Sequence, residues 1–524
     1  MHRLPLSRAP RAVLLSLVGL LALPACSDDE EGTDTPDAGN TVPDSGTRAD
    51  AGTDAGTDAG TDAGTDAGTD GGTSTAWPQS FSCEGKPQET KTYAPGDEQK
   101  LQDDVNNLAP CTTIQLAAGT FQFDNAITIR ADGITIVGAG RGAQGEGTGG
   151  TASTVLDFSD AAGNSNGIDV SDSKLFTVRD VALWNAKKDA LRIEKSSNIF
   201  IQRIRTEWAL ENNESNGKYG IYPVNSSYVI IEDSEAYNAA DAGIYVGQTR
   251  YAIVRRNIAK KNVAGIEIEN TKFAFVQGNT AQDNTTGLVV FDLPGNPIKG
   301  TDILVTGNTI TGNNRDNFAS VTASSSTVSQ VPAGTGTFIL ASRRVEFVGN
   351  TWGDNNTVDI AVLSGLAIEP DLTQWSAAFF NYASADVSIH DNTFEGGSGD
   401  AVDNGRPDPT RRPLGALVGA VYQYGAAAAG VPGVEHVLWD GIDPAPRNES
   451  LVNPINICFI NNKLPDTQSG TPRAAIVDFD LQAVSGHLRA AEPNVAAAFG
   501  ETRRYNQGAA PFNCSGFSPK LALP

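Results

Sequence analysis

The chain has 524 residues, with 62 acidic and 38 basic side chains and a formal charge of −24 at pH 7. This acidic balance disfavours a nucleic-acid partner, because binding to phosphates needs clustered Lys and Arg side chains. The sequence holds 4 His and 1 Met, which argues against a zinc or His-based hydrolytic centre and against haem or copper sites with Met ligands. We therefore expect no cofactor and no metal.

The N-terminus has the pattern of a secretory signal, a basic head followed by an apolar run over residues 12–23. The run is shorter than the roughly 20 residues that a membrane-spanning helix needs. The string Leu23-Pro24-Ala25-Cys26 resembles the lipobox of bacterial lipoproteins, and Ser27 resembles outer-membrane sorting. The resemblance implies a signal peptide over residues 1–25, a lipid anchor at Cys26 and an outer-membrane location in the cell envelope. An ordinary signal with an incidental Cys is the alternative.

Residues 26–75 are rich in Asp, Ala, Gly and Thr, and Thr-Asp-Ala-Gly repeats in register. From residue 27 to residue 72 there are 13 acidic residues and one basic residue. A segment with so little apolar surface to bury is predicted to be a disordered tether. Calcium binding by the Asp repeat is the alternative, but the repeat lacks the dense oxygen cage that calcium needs.

Four further cysteines lie in the body, two near each end, with no CxxC motif: Cys83, Cys111, Cys458 and Cys514. In an exported chain an even, widely spaced set is typical of disulfides. We expect Cys83–Cys111 and Cys458–Cys514, one bridge at each end of the fold.

The body, residues 76–524, repeats with a period of about 22 residues. Glycines at Gly220, Gly243, Gly265 and Gly287 start equivalent segments 23, 22 and 22 residues apart. Each glycine is followed by alternating apolar and polar residues, which predicts a short strand with one buried face. A second strand recurs behind the first and ends in Asn or Asp, residues that tolerate a sharp left-handed corner. Stacked Asn residues at this corner can also share side-chain hydrogen bonds along the stack.

Short strands at this period, without helical periodicity, predict an all-β fold, a single right-handed parallel β-helix of roughly ten coils. Leucine-rich repeats and propeller blades need other skeletons or longer periods. Residues 97–108 are predicted to form a helix that caps the N-terminal end. The repeat is lost after Leu464, and residues 474–524 are predicted to cap the C-terminal end.

The order of parts, from Gly119-Thr120-Phe121 through Gly138-Ala139-Gly140 to repeated Gly-Ile-x-Val strands, resembles the pectate-lyase-type right-handed β-helix superfamily. More narrowly, the strings over residues 220–224, 241–248 and 265–270 resemble an uncharacterised bacterial family of parallel β-helix repeat lipoproteins. That resemblance implies export, a β-helix and a separate c-type cytochrome-like envelope partner. It supplies no activity.

In a parallel stack, outward-facing residues of successive coils form columns at about 4.8 Å spacing. The first predicted column contains Asp169, Arg192, Tyr222, Tyr245, Glu267 and Val289. The second contains Ser171, Glu194, Val224, Gly247, Glu269 and Phe291, and the third contains Asp172, Lys195, Asn225, Gln248, Asn270 and Asp292. Lys218 and Asp241 precede two of the starting glycines.

Stacked aromatic rings and carboxylates beside basic groups suit a polysaccharide. The candidate binding residues are Tyr245, Gln248, Glu269, Asn270 and Asp292. A uronate lyase or epimerase would need Lys218 or Tyr222 as base and Arg192 to neutralise the uronate.

A glycoside hydrolase, the less favoured enzyme, would pair Glu267 with Asp241 or with Glu269. The alternative without a ligand is that these residues form the ordinary polar surface of a β-helix. A Tyr222–Tyr245 stack that is covered by other residues would favour this alternative. The sequence thus predicts an exported, lipid-anchored envelope protein that binds a polysaccharide or an envelope protein, with a carbohydrate-active enzyme as the alternative.

Overall fold

A computed structural model describes residues 83, 85–148, 152–321, 327–369, 373–375, 382–396, 414, 436–442, 456–465, 476–478 and 503–514. The predicted signal peptide and tether, including Cys26, lie outside the described residues. Within those ranges, no helix is long and apolar enough to cross a membrane.

The strands form three sheets that run the length of the stack. The first sheet contains, in spatial order, β1 (Glu89–Tyr93), β2 (Thr112–Leu116), β5 (Thr135–Val137), β8 (Lys174–Arg179), β11 (Ser197–Gln202), β14 (Ser227–Glu232), β17 (Arg250–Arg255), β20 (Lys272–Gln277), β23 (Thr301–Thr306), β26 (Arg343–Val348), β29 (Ala385–His390) and β32 (Ile457–Ile460). The second contains β3 (Gly119–Gln122), β6 (Thr154–Asp157), β9 (Ala182–Trp184), β12 (Arg205–Glu207), β15 (Glu235–Tyr237), β18 (Ile258–Lys260), β21 (Thr280–Gln282), β24 (Thr309–Thr311), β27 (Thr351–Gly353) and β30 (Thr393–Phe394).

The third sheet contains β4 (Ile127–Ile129), β7 (Ile168–Ser171), β10 (Leu191–Glu194), β13 (Ile221–Val224), β16 (Ala242–Gly247), β19 (Ala264–Glu269), β22 (Thr286–Phe291), β25 (Thr335–Leu340), β28 (Val358–Leu363), β31 (Val437–Trp439), β33 (Ile476–Asp478) and β34 (Arg503–Tyr505). Two short 3-10 turns flank strands of this sheet in the chain: Thr327–Gln330 precedes β25 and Gly365–Ala367 follows β28.

The strands pair in parallel and in register, which places like residues above one another. In the third sheet Ile244 pairs with Ile266 and Ile266 with Leu288. These side chains belong to the hydrophobic core inside the coils, whereas Tyr245 and Glu267, one position further on, face outward. The period-two pattern predicts this arrangement, and the right-handed parallel β-helix is confirmed.

Hydrogen bonds between stacked Asn side chains hold the corner between the first and second sheets. Each side-chain amide donates to the side-chain oxygen of the next Asn at 2.9–3.1 Å in a ladder over Asn257, Asn279, Asn308, Asn350, Asn392 and Asn462. The predicted sharing of side-chain hydrogen bonds between stacked Asn residues is confirmed at this corner. The left-handed backbone lies one residue earlier, at positions such as Arg256, Gly278 and Asp391, and the ladder Asn residues supply hydrogen bonds instead.

A second Asn ladder, which the sequence pattern did not reveal, holds the corner between the second and third sheets. It consists of Asn262, Asn284, Asn313 and Asn355, with amide-to-oxygen distances of 3.0–3.1 Å. Both corners of the second sheet are therefore clamped from coil to coil.

Each end of the stack is closed, as expected for a solenoid. Helix α1 (Glu98–Val105) is shorter than predicted and buries Leu101 and Val105 against the first coil. The Cys83–Cys111 disulfide lies beside it, with Cα atoms 5.8 Å apart. The predicted bridge is confirmed.

The C-terminal end differs from the prediction in one respect. β33, which was assigned to a cap without repeats, still pairs in parallel with β31. β34 then pairs antiparallel to β33 and ends the sheet. Phe512 is buried in the core beside it, and the predicted Cys458–Cys514 disulfide joins the two segments with Cα atoms 5.2 Å apart.

The ladder predicts a position-specific loss of stability. Asn308→Ala leaves the backbone N–H of Asn279 without its acceptor and removes the side-chain hydrogen bonds of Asn308 with Asn279 and Asn350. Because one unpaired buried polar group costs about 1–3 kcal/mol, the free energy of unfolding should fall by at least about 2 kcal/mol. Urea unfolding followed by circular dichroism measures it. The exposed Asn107→Ala variant is the control, and equal losses in both variants would contradict the ladder.

Candidate functional site

The outer face of the third sheet changes character along the stack. Polar residues face outward in the early coils, whereas the later coils present the aligned apolar residues Val289, Phe338, Ala361 and Leu438. These four pack in one hydrophobic cluster with Val331 and Trp375, which come from excursions between strands. The later coils are thus closed by their own loops, and Glu267 lies at the boundary.

Three tyrosines form a cluster beside this boundary, and Tyr219 and Tyr222 pack against the same hydrophobic cluster, which contains Tyr245. Tyr222 stacks on Tyr219 with ring centroids 4.4 Å apart and meets the edge of Tyr245 at 4.8 Å. Tyr245 is 3% exposed, while Tyr219 and Tyr222 keep part of their surface in solvent. Tyr245 is therefore a covered, self-paired residue, which favours a structural role for that ring. Tyr219 and Tyr222 remain at the surface.

Three carboxyl groups lie behind the tyrosine cluster. Asp241 is 2% exposed, Glu267 is 1% exposed and Glu269 is 7% exposed. Burial, and then the charges of Asp241 and Glu269, raise the pKa of Glu267 well above its ordinary value. Within the described residues, Glu267 Oε1 is buried and accepts no hydrogen bond. The tyrosine cluster and these carboxyls are called the tyrosine–carboxyl site below.

Both carboxyl oxygens of Glu269 accept hydrogen bonds, in contrast to Oε1 of Glu267. The Tyr245 hydroxyl donates to Oε2 at 2.7 Å, and Asn296 Nδ2 donates to Oε1 at 2.8 Å. Gln248 in turn donates to Asn296 Oδ1 at 3.1 Å. Burial raises the pKa of Glu269 to about 7, although the hydrogen bonds from Tyr245 and Asn296 oppose the shift.

The loop over residues 292–300 carries Asn296 and is tied to the sheet by two further predicted binding residues. Asn270 Nδ2 donates to the carbonyl oxygens of Leu293 and Ile298 at 3.1 and 2.9 Å. Asp292 accepts from the Gly300 N–H at 3.1 Å, and burial raises its pKa to about 7. Gln248, Asn270 and Asp292 are therefore brought together, but in this structure they hold the loop.

The predicted cations do not join the carboxyl groups. Arg192 forms ion pairs with Asp169 at 3.2 Å and Glu194 at 2.5 Å. It lies three strands from Glu267, or about 14 Å at about 4.8 Å per strand. Lys218 lies one strand before Asp241, and its ammonium forms no ion pair within the described ranges. No three acidic, His or Cys side chains of the described residues form a group that could hold a metal.

Two residues of the site were not predicted. Tyr219 directly precedes a starting glycine and lies outside the alternating strand pattern. The sequence feature that could have identified it is its position at the end of the long loop between β12 and β13. Asn296 lies in the turn Pro294-Gly295-Asn296-Pro297, which has no counterpart in neighbouring coils. The binding and catalytic roles that the sequence analysis predicts for the other residues of the site stay predictions.

Comparison with known proteins agrees with the fold. Residues 141–303 match the family described as the right handed beta helix region. The described body is thus a right-handed β-helix, as predicted. No curated protein sequence matches the chain.

Solved structures with similar folds include three proteins named for polysaccharides. The A-module of Azotobacter vinelandii mannuronan C-5 epimerase AlgE4 is 16% identical, with a TM-score of 0.45, covering 71% of this chain and 91% of that one. An alginate lyase from Paenibacillus sp. str. FPU-7 is 15% identical, with a TM-score of 0.33 and coverages of 59% and 96%. Pectate lyase Pel9A is 14% identical, with a TM-score of 0.35 and coverages of 62% and 82%. Likeness at this level says nothing about what this chain binds.

The raised carboxyl pKa values predict how stability depends on pH. Glu269 has an ordinary pKa near 4.5 and a folded pKa of about 7, so the folded chain keeps a proton that the unfolded chain releases. This contribution to the free energy of unfolding is complete below about pH 4 and is lost as the pH rises to about 7.

Glu269→Gln should therefore flatten part of the fall in Tm between pH 5 and about 8, since Gln cannot ionise. Calorimetry across this range measures the difference from the wild type. Glu89→Gln removes an exposed carboxyl at the far end of the first sheet and should leave the profile unchanged. A parallel profile for Glu269→Gln would contradict the shift.

Proposed function

We propose that the protein is an exported, lipid-anchored protein of the cell envelope that binds a polysaccharide at the tyrosine–carboxyl site. The secretory signal, the lipobox-like Cys26 and the acidic tether support the location. The buried Oε1 of Glu267, which accepts no hydrogen bond from the described residues, carries the proposal for binding.

Glu267 is an unfavourable residue for a purely structural role. Leaving a buried polar group without a hydrogen bond costs about 1–3 kcal/mol. The next residue in the same column, Val289, fills the equivalent position with an apolar side chain, so the fold does not need a carboxyl there. Retaining a strongly perturbed carboxyl where an apolar residue would fit is typical of a functional site.

The surroundings of Glu267 suit a sugar. A protonated carboxyl can donate a hydrogen bond to a hydroxyl or glycosidic oxygen. Tyr219 and Tyr222, which are half-buried residues, offer aromatic area against which the apolar face of a sugar ring can pack. A bound sugar would thereby meet donors and apolar surface together.

Glycoside hydrolysis is the second candidate, favoured by the raised pKa of Glu267. A carboxyl that stays protonated near neutral pH can act as the general acid, and Asp241 or Glu269 would be the second carboxylate. A uronate lyase or epimerase has weaker support, because Arg192 already pairs with Asp169 and Glu194.

The c-type cytochrome-like envelope partner remains a separate proposal. It rests on the family resemblance of the coil strings and on no contact of the described residues.

Binding to a polysaccharide panel tests the proposal. The lipidated chain in detergent is mixed with neutral, amino-sugar and uronate polymers. Glu267→Gln should weaken the binding of the retained polymer at least about tenfold, or about 1.4 kcal/mol, with an unchanged or higher Tm. Glu89→Gln serves as the matched control.

The same mixtures distinguish binding from catalysis. Release of reducing ends, lost in Glu267→Gln, would establish hydrolysis, whereas ultraviolet absorbance from unsaturated ends would indicate a lyase. Retention of no polymer by the wild type would refute the proposal and leave the envelope-protein partner to be tested by crosslinking.

A further inference from the structure

The tyrosine–carboxyl site holds three acidic side chains, and one of their oxygen atoms accepts no hydrogen bond from the described residues. Asp241, Glu267 and Glu269 come from two neighbouring coils and are at least nine-tenths buried. Glu267 Oε1 accepts no hydrogen bond from the described residues. A site built this way favours a ligand group that brings positive charge and N–H donors.

We infer that the polysaccharide bound at this site carries free ammonium groups, as in a deacetylated amino-sugar polymer. The inference rests on the proposed function and deepens it by naming the charge class of the glycan. It is carried by the buried, unpartnered Glu267 oxygen beside two further carboxyls.

The ammonium group matches what the site lacks. It has three N–H donors and no acceptor, so it can donate to Glu267 Oε1 and to a neighbouring carboxylate at once. Hydrogen bonds between charged groups are stronger than those between neutral ones. A positive charge between these carboxyls would also remove the repulsion that, after burial, raises the pKa of Glu267.

A uronate would meet the opposite situation. Its carboxylate would bring a further negative charge next to the buried acidic side chains, while Arg192 is held by two carboxylates about three strands away. A neutral hexose or an N-acetylated sugar could pack on the rings but would bring no positive charge to the carboxyl groups. The order of affinity should therefore follow the charge of the sugar.

The tyrosines lie where such a sugar would enter. Tyr219 and Tyr222 keep exposed surface, whereas Tyr245 and the carboxyls behind it do not. A cation that approaches the carboxyls past these rings also gains from their negative faces. Access therefore requires movement of Tyr219 or Tyr222, which stack on each other at 4.4 Å.

Three oligosaccharides of equal length test the inference by calorimetry on the full chain. They are a glucosamine oligomer, its fully N-acetylated counterpart and an oligogalacturonate. The glucosamine oligomer should bind at least about tenfold more tightly than the N-acetylated one, and the oligogalacturonate should not bind. Equal or tighter binding of either of the other two would overturn the inference.

The acidic tether could attract a polycation without a site, and two variants exclude this. Glu267→Gln and Glu89→Gln each remove one carboxyl, so adsorption would change equally in both. Loss of the preference in Glu267→Gln alone supports the inference, and equal effects overturn it. Calcium alone, bound with an affinity that Glu267→Gln abolishes, would also overturn it in favour of a metal ion.

The outcome separates the inference from the proposed function. If a neutral or uronate oligomer binds and Glu267→Gln removes that binding, the glycan-binding function stands and the charge class is wrong. If none of the three oligomers nor any polymer of the panel binds, both are wrong.

Discussion

The coil-to-coil hydrogen bonding of the Asn ladders is the interaction on which the rest of the structure depends. Every ladder Asn except the last donates to the Asn of the next coil and to a backbone carbonyl of the preceding coil, as Asn308 does to Asn350 and to Val276. The side chain therefore links three successive coils. Because a one-residue slip would exchange the inner and outer faces of every strand, this clamp secures the register of the whole stack.

The tyrosine–carboxyl site is a direct consequence of that register. Tyr245 and Glu267 are paired residues of adjacent strands, and Glu269 lies on the same outward face two positions further along. In another register Glu267 would point into a core of Ile and Val side chains. The site also marks where the outer face passes from polar to apolar, so its carboxyls are buried without being part of the core.

The sequence predicts the stack better than the site, for a physical reason. Strand alternation and glycine spacing are local and repeat with each coil, so the columns through Arg192, Tyr222 and Glu267 can be predicted before the structure is known. Burial of Glu267 and capture of Glu269 by Asn296 depend on an excursion and a turn that do not repeat. The same holds for Tyr219, which lies outside the alternation, and for the neutralisation of Arg192 by residues from two coils.

The corner between the first and second sheets shows how far residue types alone can predict the role of each position. Asn and Asp are frequent at that corner, and the sequence offers two explanations, tolerance for positive φ and side-chain hydrogen bonds between stacked Asn residues. The structure separates two tasks in adjacent positions, with Arg256 and Gly278 taking the bend and Asn257 and Asn279 taking the hydrogen bonds. The sequence pattern covers both neighbouring positions, so it cannot show which residue takes the left-handed backbone and which forms the hydrogen bonds. The coordinates of both residues are needed for that.

The Cys83–Cys111 bridge has a mechanical consequence. Any tension applied to the chain upstream of Cys83 passes through the disulfide to Cys111 and then directly into β2. β1 and helix α1 lie within the loop that the bridge closes, so they carry none of this load. A rod pulled from its N-terminal end therefore transmits the force to its second strand, and the cap that protects the edge of the sheet stays in place.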